Sequence, residues 1–82
     1  INHIAPEGKL MDEVMKMGRT ICDNAPIAVQ QAKYAINRGM ETDIRNGLGI
    51  ESDSYEACIP THDRLEALAA FKEKRKPDFK GE

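Results

Sequence analysis

Two histidines, His3 and His62, two cysteines, Cys22 and Cys58, and three close pairs of acids make up the reactive inventory of this 82-residue chain. A nucleophile needs a base within reach, and a metal needs three or four converging ligands. Cys58 and His62 have the i, i+4 spacing of two ligands on one helix face, but Pro60 falls between them and forbids a continuous helix. A third ligand is missing as well, so no metal is expected. The pairs Asp12/Glu13, Glu51/Asp53 and Asp63/Glu66 could divide acid and base work only if their surroundings pushed the two pKa values apart. Each is expected on a solvated helix face, with Arg64 and Lys72 as surface partners, and no residue is assigned a catalytic role. What remains is a basic carboxyl terminus, Lys72, Lys74, Arg75, Lys76 and Lys80, flanked by aromatic rings.

The elements that must position these residues are helical. Leu10, Val14, Met17 and Ile21 recur at i, i+4, i+7 and i+11, with Met11, Met15 and Cys22 widening the stripe, which predicts a first helix from about Lys9 to Asp23. Pro26 suits the first turn of a second helix, whose Ala25, Ala28, Ala32, Ala35, Ile36 and Met40 form a narrow small-residue face ending near Gly39. Asp43 is the N-cap expected for a third helix to about Cys58, with Ile44, Leu48, Tyr55 and Ile59 on its stripe and Gly47 and Gly49 as sites of helix contact. Thr61 then caps a fourth helix, about His62 to Lys76, in which Leu65, Leu68, Ala69 and Phe71 face one way and cations fill the last turn before Pro77. The predicted architecture is all-α, four helices with short turns in an orthogonal bundle. Residues 1–8 read as a connecting segment, 9–76 as the helical domain and 77–82 as an extended tail.

Composition bounds the rest. A chain of this length is one small domain that buries roughly 60–65% of its unfolded surface. The uncharged run beginning at Asn24 is far short of the ~20 apolar residues a bilayer demands. A net charge of −2 supplies no field to attract nucleic acid or anionic lipid. Cys22 and Cys58 have no disulfide-framework spacing and read as reduced thiols at core-like helix positions in a cytoplasmic setting. The amino terminus begins inside an apolar phrase without a basic leader, so no signal peptide is expected, and the chain reads as cut from something longer.

The run Pro60-Thr61, Asp63-Arg64, Glu66, Ala70-Phe71, Glu73-Lys74-Arg75, Pro77, Phe79-Lys80-Gly81 resembles the carboxyl terminus of the enoyl-CoA hydratase (crotonase) family. The likeness continues through Asn24 to Val29 and Ala32 to Asn37 and reaches Ile1-Asn2-His3-Ile4, which is similar to the end of that family's catalytic core. Within the family, Ile59-Pro60-Thr61 followed by Asp63-Arg64-Leu65-Glu66 is most similar to methylglutaconyl-CoA-type hydratases. The resemblance implies a parent hydro-lyase that adds water across the double bond of 2-enoyl-CoA thioesters in fatty-acid or branched-chain amino-acid breakdown. Its two glutamates and its enolate-holding backbone N–H pair would lie in the missing N-terminal core. It further implies a cytoplasmic or, in a eukaryote, mitochondrial-matrix enzyme, assembled as a homo-oligomer (trimer or hexamer), with acyl-CoA as substrate and no separate cofactor.

The same resemblance assigns Tyr55, Phe71 and Lys74 to the adenine and 3′-phosphate end of coenzyme A, where an aromatic face and an ammonium group are the chemistry required. Packing is the competing role for Tyr55 and Phe71, both on apolar stripes, and charge at a helix end is the competing role for Lys74. Arg75, Lys76 and Lys80 read mostly as solvated charges. The alternative function is a stand-alone helical interaction module. Nucleic-acid binding is disfavoured, because Glu73, Asp78 and Glu82 leave only +2 over the basic terminus.

Overall fold

The computed structural model describes all 82 residues, and its regular structure is four helices: α1 (Leu10–Cys22), α2 (Pro26–Gly39), α3 (Ile44–Cys58) and α4 (His62–Glu73). Their starts follow from local chemistry. Asp43 accepts from the Asn46 backbone N–H at 3.0 Å and from its side-chain amide at 2.6 Å, which holds the Asp43 carboxyl below its usual range. Thr61 accepts from the Arg64 N–H at 3.2 Å while donating to the Cys58 carbonyl at 2.7 Å, so one hydroxyl closes α3 and opens α4. At α2 no side chain caps, and Pro26 removes one of the N–H groups that would need a cap.

Only α2 and α3 pack extensively against one another. Their crossing is set by two glycines: a Cβ on Gly47 would lie 3.2 Å from the Gly39 carbonyl oxygen and 3.6 Å from its Cα. Gly49, expected to share this role, has nothing within 4 Å and faces open space. The two-residue offset turns it about 200° around the helix, away from the partner.

The helices do not enclose a core of their own. Three residues are buried, Ser54, Asp63 and Ala70, and Ala70 is the only apolar one. The α1 stripe stays in solvent along its length, with Leu10 at 65% exposure and Ile21 at 56%, and Cys22, expected at a core position, is exposed and unpaired. The molecule is a slab of 42 × 40 × 18 Å with a radius of gyration of 15.9 Å, where a compact chain of this length has about 11.7 Å. Its 7153 Å² of accessible surface compares with about 4900 Å² for a folded monomer of the same mass. Sequence periodicity thus located the apolar faces, and within these 82 residues they stay largely uncovered. No helix is long and apolar enough to cross a membrane.

Two measurements follow from this packing. Gly47→Ala should destabilise by about 1–3 kcal/mol, because backbone must yield to the new methyl, whereas Gly49→Ala should stabilise α3 by up to about 1 kcal/mol; equal effects in denaturant titrations would contradict the crossing. The isolated 82-residue chain should self-associate as concentration rises, and sedimentation showing an unassociated monomer at millimolar concentration would contradict the reading of its apolar faces.

Candidate nucleotide-binding site at the end of the fourth helix

The sequence predicts α4 running to Lys76, but it stops at Glu73 because the chain reverses. Lys74 adopts the left-handed conformation, φ 55° and ψ 41°, the only non-glycine residue with positive φ. Its N–H donates to the Phe71 carbonyl at 3.2 Å, and the Arg75 N–H donates to the Ala70 carbonyl at 3.0 Å. This pair of bonds is the Schellman ending, which ordinarily places glycine where Lys74 stands. A side chain in that conformation costs roughly 1–2 kcal/mol.

The reversal is held by α4's own carboxylates, which corrects their expected role as solvated acids. Glu66 binds Arg75 through both carboxylate oxygens, at 2.5 and 3.3 Å, and accepts from the Asp78 backbone N–H at 3.0 Å. The Arg75 guanidinium, followed by the Asp78 N–H, brings Glu66 from 4.5 down to about 2, and Glu66 in turn raises Arg75 above its ordinary range. Arg75 also reaches Glu73 at 2.6 Å, so it is paired twice and is not a free cation. Asp63, buried at 3% exposure, accepts from the Lys80 and Gly81 N–H groups at 2.9 and 2.8 Å, and its own N–H donates to the Glu82 carbonyl at 2.8 Å. The tail from Asp78 onward is therefore strapped back along the first turns of α4. Arg64 and Lys72, the surface partners expected for these acids, make no ion pair with them; Lys76 reaches Asp23 at 3.4 Å.

The three residues assigned to nucleotide binding take two positions. Tyr55 lines an open cleft of about 350 Å³ between α2, α3 and the start of α4, with Ala28, Ile59, Arg64, Ala67 and Leu68. Phe71 lies one helical turn beyond Leu68 on α4, outside that lining, and Lys74 follows it at the reversal. Phe71 is 86% and Tyr55 66% exposed, so packing within this chain accounts for neither ring. Sequence reasoning missed Asp63, Glu66 and Arg75 as the groups that shape this end, and Gly81, left-handed at φ 76° beside Pro26, was the one signal that the tail turns back. No group of His, Cys, Asp or Glu side chains is placed to hold a metal ion. His62 is exposed in the first turn of α4.

Residues 1–82 match the family model described as enoyl-CoA hydratase/isomerase. The chain belongs to that family. It is 44% identical over 86 residues to human mitochondrial methylglutaconyl-CoA hydratase, covering 100% of this chain and 25% of that protein. It is 52% identical over 67 residues to mouse mitochondrial enoyl-CoA hydratase domain-containing protein 2, covering 82% of this chain and 23% of that protein. The crystal structure of an enoyl-CoA hydratase from Bacillus anthracis superposes with a TM-score of 0.92 at 46% identity, over 95% of this chain and 30% of that one. The chain thus spans 23–31% of the length of these enoyl-CoA hydratase/isomerase relatives, and the four-helix fold is one the family contains.

The strap has its own test. Glu66 is more acidic folded than unfolded, so its contribution to stability is full above about pH 4.5, shrinks as the unfolded chain takes up a proton, and is gone once pH has fallen through about 2. In an NMR titration the Glu66 carboxyl and the Asp78 amide should move together near pH 2; movement of both near pH 4.5 would contradict the forked pair.

Proposed function

We propose that this chain is the carboxyl-terminal helical part of an enoyl-CoA hydratase, in which it closes over the nucleotide end of an acyl-CoA thioester and packs against the catalytic core and sister subunits. The chain carries no catalytic residue in this reading. Water addition to the 2-enoyl group belongs to the preceding part of the enzyme, and these helices supply binding energy remote from the reacting bond. Tyr55 and Phe71 offer faces to adenine, and Lys74 offers an ammonium group to the 3′-phosphate.

The observation that carries this reading is the end of α4, where an 86%-exposed phenylalanine stands one turn before a lysine in a strained backbone conformation. Packing within the chain does not account for the exposed ring, and the left-handed lysine is held by contacts made beyond it. Strain at a non-glycine residue points to use. The resemblance to methylglutaconyl-CoA-type hydratases, at 44% identity to the human protein of that name, supports a branched-chain enoyl-CoA as substrate. The exposed apolar faces of α1 and of the α2–α3 pair support assembly into a homo-oligomer.

In the full-length enzyme, Lys74→Met should raise KM for an enoyl-CoA by about five- to thirtyfold, the equivalent of 1–2 kcal/mol of lost phosphate contact, while leaving kcat within about twofold. Phe71→Ala should act in the same direction, because base stacking on an aromatic ring contributes about 1–3 kcal/mol. Steady-state kinetics showing unchanged KM for both variants would overturn the assignment.

A further inference from the structure

We propose that Glu66 and Arg75 are positioning residues for the phosphate-binding ammonium of Lys74: their forked pair selects the reversed ending of α4 over a longer helix and so sets where Lys74 points. The proposal rests on the reading of Lys74 as the 3′-phosphate partner. Its starting point is a conflict between sequence and structure. Lys72, Glu73, Lys74, Arg75 and Lys76 are all good helix formers, and nothing before Pro77 forbids helix. The chain nevertheless turns left-handed at Lys74 without glycine to ease it.

The forked pair discriminates between these two endings absolutely. In a continued helix, Glu66 and Arg75 would be nine residues apart, separated by about 13.5 Å of rise and turned about 180° to opposite faces. In the observed ending they meet through both carboxylate oxygens, at 2.5 and 3.3 Å, and the same carboxylate takes the Asp78 N–H at 3.0 Å. Neither the fork nor its geometry can form in the continued helix. Glu73, on the other side of the guanidinium at 2.6 Å, steadies Arg75 without helping to choose between the endings, because it lies only two residues away. Arg75 is thereby occupied by carboxylates, whereas Lys74 at the turn, like Lys72 before it, has no ion-pair partner in the chain and is available to a ligand. In the helical alternative Lys74 would sit at i+3 from Phe71, about 60° around the axis, and its side chain would leave a helical backbone instead of the left-handed turn, so the ammonium would be aimed differently although it stayed near the ring.

The test uses the full-length enzyme and the ratio of its dissociation constants for dephospho-CoA and CoA, measured by calorimetry. The wild type should favour CoA about tenfold, and Lys74→Met should bring the ratio near one. Glu66→Gln removes the charge but keeps an acceptor for the Asp78 N–H; it should lower the ratio several-fold while leaving the affinity for dephospho-CoA within about twofold. The double variant should discriminate no less than Lys74→Met alone, since both changes act on one contact. A general loosening of the fold would weaken both ligands together and would overturn the positioning role. If Glu66→Gln keeps the full ratio while Lys74→Met loses it, the positioning role fails and the Lys74 assignment stands. If Lys74→Met keeps the ratio, the Lys74 assignment fails and takes the positioning role with it. Should Glu66→Gln not fold, Arg75→Gln, at the more exposed end of the same pair, is read by the same ratio with the same outcomes.

Discussion

Two carboxylates three residues apart on α4 hold the end of this chain in place. Asp63 satisfies two backbone N–H groups of the returning tail, and Glu66 satisfies a third while binding Arg75 in a fork. Charge-assisted bonds of this kind are shorter and stronger than neutral ones, and here they replace water on peptide groups that no helix or sheet would otherwise engage. The tail has no regular structure of its own, so its path along α4 depends on these acceptors. So does the left-handed turn at Lys74, because a reversal that the local sequence does not favour must be supported by contacts made beyond it.

The rest of the molecule obeys a different constraint. Its helices have pronounced apolar faces, yet 82 residues folded this way bury a single apolar residue, Ala70. The close crossing at Gly39 and Gly47 joins α2 to α3 and leaves Ala32, Ile36, Met40, Ile44 and Leu48 around an open apolar cleft at its edge. Burial of such surface is the main favourable term in folding, and here most of it is left exposed. Such faces fit the proposed place of the chain within a longer protein of the enoyl-CoA hydratase/isomerase family. The strap on α4 is where the chain organises itself through its own contacts.

Much of this was legible in the residues. The 3.6-residue stripes gave all four helices, and Asp43, Thr61 and Pro26 gave three of their starts, because capping is local chemistry that needs no tertiary context. The motif around Phe71 and Lys74 gave the family. The end of α4 was not legible, because the left-handed turn falls on lysine where a sequence signal would be glycine. Asp63 and Glu66 looked like solvated acids for a related reason: their partners are backbone N–H groups and an arginine brought back by that same turn. Gly49 shows the limit of reading spacing alone, since two glycines two residues apart point to opposite sides of a helix and only Gly47 meets a neighbour.

In the proposed enzyme the α4 ending presents Phe71 and Lys74 to the nucleotide end of an acyl-CoA. The most direct measurement is a crystal structure of the full-length enzyme with CoA bound. A 3′-phosphate oxygen is expected at about 3 Å from Lys74 Nζ, with Lys74 still left-handed and the adenine ring against Phe71 or Tyr55. Adenine bound elsewhere, with Lys74 directed into solvent and Phe71 buried against another subunit, would contradict it.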